Sequence, residues 1–148
     1  MSDTVPARTS SVAQVWFEEV WNRRHEEAID RLAEPSAFTH LETGTGRGLA
    51  AFRKVREELL VGLPDLRVEI EDLVVQGENE VVRWRASGTH RGPLMGIEAS
   101  GRLVVFEGMT WLKVRQGRIY EGWDRWNFGG FLAQLSTVAP VTGDARPG

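Results

Sequence analysis

The spacing of the apolar residues changes once along this chain, and that change limits what it can fold into. Before Asp65, apolar side chains recur every three or four positions, the period of a helix face; from Asp65 onward they alternate, the period of a strand with one buried side. Behind the N-cap candidates Thr9, Ser10 and Ser11, the residues Val12, Val15, Trp16, Glu19 and Val20 fall at i, i+3, i+4, i+7 and i+8. Phe17 and Trp21 widen that stripe. Residues 26–32 read as a shorter helix carrying Ala28, Ile29 and Leu32 and ended by Pro35. Residues 49–60 read as a third, with Phe52, Val55, Leu59 and Leu60 inward and Gly62 and Pro64 stopping it. Phe38-Thr39-His40 is a short extended piece. Gly44-Thr-Gly-Arg-Gly48 lacks the Gly-Lys-Ser/Thr ending of a phosphate loop and reads as a flexible turn. Four strands are predicted at about 66–76, 80–90, 102–115 and 118–127, with tight turns at Gly77-Glu-Asn79 and Gln116-Gly117. Helices followed by a run of antiparallel strands is the α+β pattern, one sheet with helices against one face.

At 148 residues the chain is long enough for one domain. That domain is expected over residues 10–135, with flexible tails at 1–9 and 136–148. Eighteen basic against 21 acidic residues give a net charge of -3, which argues against a nucleic-acid partner. With no cysteine and only three scattered histidines, neither disulfides nor a metal site is expected. No apolar run is long enough to span a membrane and the first residues lack a signal-peptide core, so a cytoplasmic protein is expected. The unusual figure is six tryptophans, which supply core bulk or the walls of an apolar site.

Alternation sorts the strands into two faces. Taking the apolar side as the one the helices cover, Leu66, Val68, Ile70, Val82, Trp84, Ala86, Val104, Phe106 and Leu112 point inward. The charged residues Arg67, Glu69, Arg83, Arg85, Glu107, Lys113, Glu121 and Arg125 point outward. The polar groups left on the inward face are Asp124, Thr110, His90 and the Tyr120 hydroxyl. A single carboxyl on such a face is costly unless it is hydrogen-bonded or opens onto a wet cavity. Apolar surroundings would also raise its pKa towards neutrality and suit it to proton transfer. Asp124 is therefore the residue that stands out, although an inward acid can also be a purely structural hydrogen-bond acceptor. His40, beside the glycine-rich segment, and His90, at a strand end, are pocket candidates whose structural alternatives are loop and rim positions.

Three stretches are familiar. Residues 64–73 (PDLRVEIEDL), residues 82–97 (VRWRASGTHRGPLMGI) and residues 117–127 (GRIYEGWDRWN), followed by Leu132-Ala-Gln-Leu135, resemble the SnoaL-like polyketide cyclases of the nuclear-transport-factor-two-like superfamily. The resemblance implies a cone: a strongly curved antiparallel sheet wrapped around the N-terminal helices, opening to a deep apolar pocket. It also implies a cofactor-independent enzyme acting on a small, apolar, polyketide-like substrate. Asp124 matches the acid/base aspartate of the aldol-type members. Their assisting histidine, fourteen residues earlier, is replaced here by Thr110, with His40, His90 and Tyr120 as possible substitutes. Trp16, Val20, Trp84, Met95, Phe106 and Trp126 are the expected substrate-holding residues. Hydroxylase, isomerase and epoxide hydrolase chemistry and a non-catalytic binding module remain alternatives on the same cone. Family members commonly pair through the outer sheet face, where this chain carries Met109, Trp111 and Trp123, so a homodimer or homotetramer is expected.

Overall fold

The computed structural model describes residues 10–136; the expected tail at 1–9 and all but Ser136 of the expected tail at 136–148 lie outside them. Helix α1 starts where the sequence offers a cap. Ser11 Oγ accepts the Gln14 backbone N–H at 3.0 Å while Gln14 Oε1 accepts the Ser11 N–H at 3.0 Å, a reciprocal capping box. The helix runs as an α-helix over Val12–Trp16 and continues as a π-helical stretch over Phe17–Asn22, burying Ala13, Trp16, Phe17 and Val20. Asn22 then ties the helix end to the sheet, donating to the Val68 carbonyl and accepting the Val68 N–H, both at 2.8 Å. Helix α2 (Glu27–Leu32) buries the expected Ala28, Ile29 and Leu32, and α3 (Ala50–Gly62) buries Phe52 and Leu59.

The sheet has six strands where the sequence suggests four. Strands β3 (Arg67–Gln76), β4 (Asn79–Thr89), β5 (Leu103–Arg115) and β6 (Arg118–Trp126) form an antiparallel run close to the expected boundaries. Two strands are added at its β6 edge. The first, β1 (Ala33–Leu41), absorbs Phe38-Thr39-His40; the second, β2 (Gly44–Arg47), occupies the segment read as a flexible turn. Their order is β2-β1-β6-β5-β4-β3, antiparallel throughout except for β1, which runs parallel to β6. Pro35 hides β1 from sequence reading because proline cannot donate to a ladder. It is tolerated because the β1–β6 register skips between Ala33 and Phe38. A fourth helix, α4 (Phe128–Ser136), was also not expected, since Gly129-Gly130 is a poor helix former; burial of Phe131 and Leu135 holds it, and it takes in Ser136, the first residue assigned to the tail.

The inward face carries one more acid than alternation from Val82 onward indicates. Glu80, at the start of β4, is buried and accepts the Ala13 N–H at 2.7 Å. An anion at the first turn of α1 meets the unpaired N–H groups and the positive end of the helix dipole, so this carboxyl has a structural task.

Candidate functional site

Helices α1 and α3 stand off the inner face of the sheet and leave a cavity of about 670 Å³ counted out to its mouth. Its walls are Phe17 and Trp21 of α1, Phe52, Val55 and Leu59 of α3, and Trp84, Phe106, Thr110, Asp124 and Trp126 of β4 to β6. Met95 reaches it from the β4–β5 loop with its backbone held at φ +52°, and Phe128 closes it from α4. A smaller cavity adjoins it and shares Leu41, Phe52, Thr110 and Asp124. Gly108 sets the tryptophan positions: a Cβ there would lie 2.5 Å from Trp84 Cζ2 and 2.6 Å from Trp126 Cβ.

Asp124 and Thr110 face each other across β5 and β6 in register. The Thr110 hydroxyl donates to Asp124 Oδ1 at 2.6 Å and accepts the indole N–H of Trp84 at 2.9 Å. Both functions of that hydroxyl are thus committed to neighbours. Thr110 is not a free oxyanion donor; it holds the carboxyl. Asp124 Oδ2 has no hydrogen-bond partner among the described residues and is not a sealed polar atom, and Asp124 lines both cavities. Burial raises the Asp124 pKa above the ordinary carboxylate value. The Glu42 charge adds to the rise, while the Thr110 hydrogen bond and the Arg125 charge oppose it without reversing it. When the carboxyl is protonated, the proton belongs on Oδ2, because Oδ1 is already an acceptor.

The remaining candidates separate. Trp84, Met95, Phe106 and Trp126 line the main cavity and Trp16 the smaller one, whereas Val20 is fully buried in the core and reaches neither. His40 lies on the opposite face of the sheet. Its Nδ1 meets Thr45 Oγ1 at 3.1 Å, its Nε2 meets Glu121 Oε2 at 2.9 Å, and its ring stacks on Trp123 at 4.8 Å. Strand alternation within β1, invisible while that strand was unrecognised, turns it outward. Tyr120 is outward too. A bulge where Lys113–Val114 meets Glu121–Ile119 slips the pleat by one, so Ile119 takes the buried place. The Tyr120 hydroxyl instead donates to Glu78 Oε1 at 2.7 Å. His90 is inward as expected but lines neither cavity. It is buried at the end of β4 with Nδ1 3.0 Å from Ser100 Oγ.

Sequence reading missed Glu42. It sits in the turn between β1 and β2, lines the main cavity, and accepts the Trp126 backbone N–H through Oε2 at 2.8 Å. Nothing in its local pattern marks it, because the two strands that aim it were not recognised. Among the described residues no three His, Asp or Glu side chains gather as a metal-binding group.

The profile of the SnoaL-like polyketide cyclases matches residues 11–135. The chain belongs to that family. No curated protein matches the sequence. Among solved structures, the chain is similar to IdmH of Streptomyces antibioticus, provisionally called a polyketide cyclase, with a TM-score of 0.76 and 27% identity over 90% of this chain and 100% of that one. It is similar in fold to a SnoaL-like protein of Jannaschia sp. CCS1, with a TM-score of 0.79 and 20% identity over 94% of this chain and 100% of that one. AclR of Streptomyces galilaeus, provisionally called a hydroxylase, has a TM-score of 0.75 and 24% identity over 89% of this chain and 87% of its own. The α+β cone of this SnoaL-like chain is therefore shared with proteins given different reactions, and the reaction must be argued from the site.

Proposed function

We propose that this SnoaL-like chain is a cofactor-independent enzyme that closes a ring on an apolar, polyketide-like substrate, with Asp124 as its proton carrier. The observation that carries the reading is the Trp84–Thr110–Asp124 chain on the wall of an aromatic cavity, with one carboxyl oxygen pinned and the other open. In the ring-forming step, the Asp124 carboxylate takes a proton from the carbon beside a carbonyl. That carbon attacks a second carbonyl of the same substrate, and the proton passes from Oδ2 to the new alkoxide oxygen. The proton count balances without a second acid. A raised pKa makes the carboxylate a better base near neutral pH, and such proton transfer contributes roughly 10²–10⁴-fold. The aromatic walls contribute by holding a flexible chain folded for attack. The family match and the likeness to IdmH agree with this reaction class.

A non-catalytic binding module is the second reading, favoured by Thr110 standing where a proton-carrying histidine would serve. Exchange of the α-protons of 2-tetralone with D2O, followed by NMR, separates the two. The enzyme reading expects exchange above the buffer rate that falls about 10²-fold or more in Asp124→Asn, with the dissociation constant nearly unchanged. Equal exchange by both proteins overturns the role of Asp124. Binding without exchange by either leaves the module.

The reading includes assembly through the outer face of the sheet. Trp111 is 48% and Met109 52% exposed there, beside Trp123, a large apolar display for a lone chain.

A further inference from the structure

The charge balance of the main cavity narrows what it would hold. Among the described residues, seven aromatic side chains line it, together with the carboxyls of Asp124 and Glu42, and no Lys, Arg or His is among its walls. Arg125 is next in sequence to Asp124 but on the outer face, its guanidinium donating to the carbonyls of His40 at 3.2 Å and Asp124 at 2.9 Å. Glu42 forms no ion pair among the described residues; its one hydrogen bond is to a neutral backbone N–H. Among the described residues the cavity thus carries carboxyls and no cation to answer them.

We propose that the cavity selects a substrate bearing a positive charge, a protonated or quaternary amine on an apolar skeleton, with Glu42 as the counter-charge and the surrounding rings as a cation–π wall. The proposal rests on the reading of this cavity as the substrate site. The two features are independent and agree in sign. Aromatic faces carry negative potential and attract a desolvated cation, and the Glu42 carboxyl on the same wall adds to that attraction. An anionic substrate would meet the reverse: two carboxyls, aromatic faces, and a Thr110 hydroxyl already spent on Asp124.

Three probes of matched shape and different charge test this: benzyltrimethylammonium, neopentylbenzene and phenylacetate, each titrated while the resonances of the backbone and of the tryptophan indoles report where it sits. The expected result is that the ammonium binds at the cavity about tenfold or more tighter than neopentylbenzene, with phenylacetate weakest. Glu42→Gln keeps an acceptor for the Trp126 N–H and should collapse the difference between cation and neutral probe. Glu69→Gln, an acid on the outward side of β3, should leave it intact. Equal binding of cation and neutral probe, tightest binding of phenylacetate, or an equal loss of preference in Glu69→Gln overturns the inference while keeping the cavity as a ligand site. Failure of all three probes to perturb the cavity overturns the site itself, and the inference with it.

Discussion

Asp124 is held at one oxygen and open at the other, and both facts follow from its pairing with Thr110. A threonine in that position cannot carry a proton at neutral pH, but it can fix the carboxyl rotamer, and Trp84 fixes the threonine in turn. The raised pKa has a consequence for stability. A carboxyl whose folded pKa lies above its unfolded one favours folding fully below the unfolded value, and that contribution is lost as pH rises through the folded pKa. Asp124→Asn keeps an oxygen for the Thr110 hydroxyl and has no charge to bury. Its melting temperature relative to the native protein should therefore increase as pH is raised from about 3 to about 8. A constant difference across that range would show that the carboxyl is not held above its ordinary value. Asp124 stood out from the sequence because alternation alone puts it among apolar neighbours. Glu42 did not, because a turn residue has no face until the strands on either side of it are paired.

The elements were legible in proportion to how local their signals are. Helix α1 announces itself through a cap and a stripe, and strands β3 to β6 through alternation and glycine-marked turns. Gln116 and Gly117 both adopt positive φ, as a tight hairpin turn of this kind needs. Strand β1 and helix α4 carry contrary local signals, Pro35 in the one and Gly129-Gly130 in the other; tertiary pairing and burial override them. The bulge in β6 has no sequence mark at all, and it alone reverses the placement of Tyr120. Gly108 in β5 shows how an element shapes the cavity without entering it. Gly108→Ala pushes a methyl against Trp84, Trp126 and the Arg125 carbonyl, so a loss of about 1–3 kcal/mol is expected in urea denaturation. Benzyltrimethylammonium binding should weaken in the same variant, because both displaced indoles are cavity walls. An unchanged midpoint would mean that the tryptophans yield freely and that the cavity is not pre-shaped.

For the molecule as a whole, the two faces of one sheet have opposite duties: the inner face encloses Asp124, and the outer face offers Met109 and Trp111 to water or to another copy. If the outer face mediates assembly, Trp111→Glu should shift the protein to a monomer in light scattering while leaving Asp124 and its cavity in place. A native protein that is already monomeric at high concentration would remove the assembly from the reading. The α+β class, the antiparallel run of β3 to β6 and the inward place of Asp124 were all set by composition and period, because residues two or four apart share a face whatever the rest of the chain does. The two added strands, the outward turn of His40 and the arrival of Glu42 beside Asp124 depended on contacts between residues 81 to 84 positions apart, the outward turn of Tyr120 on a bulge in the β5–β6 hairpin, and the core burial of Val20 on how α1 packs. Such contacts have no period, since a parallel β1–β6 pairing or a one-residue bulge is chosen by the fit of whole elements and not by the residues that happen to sit there.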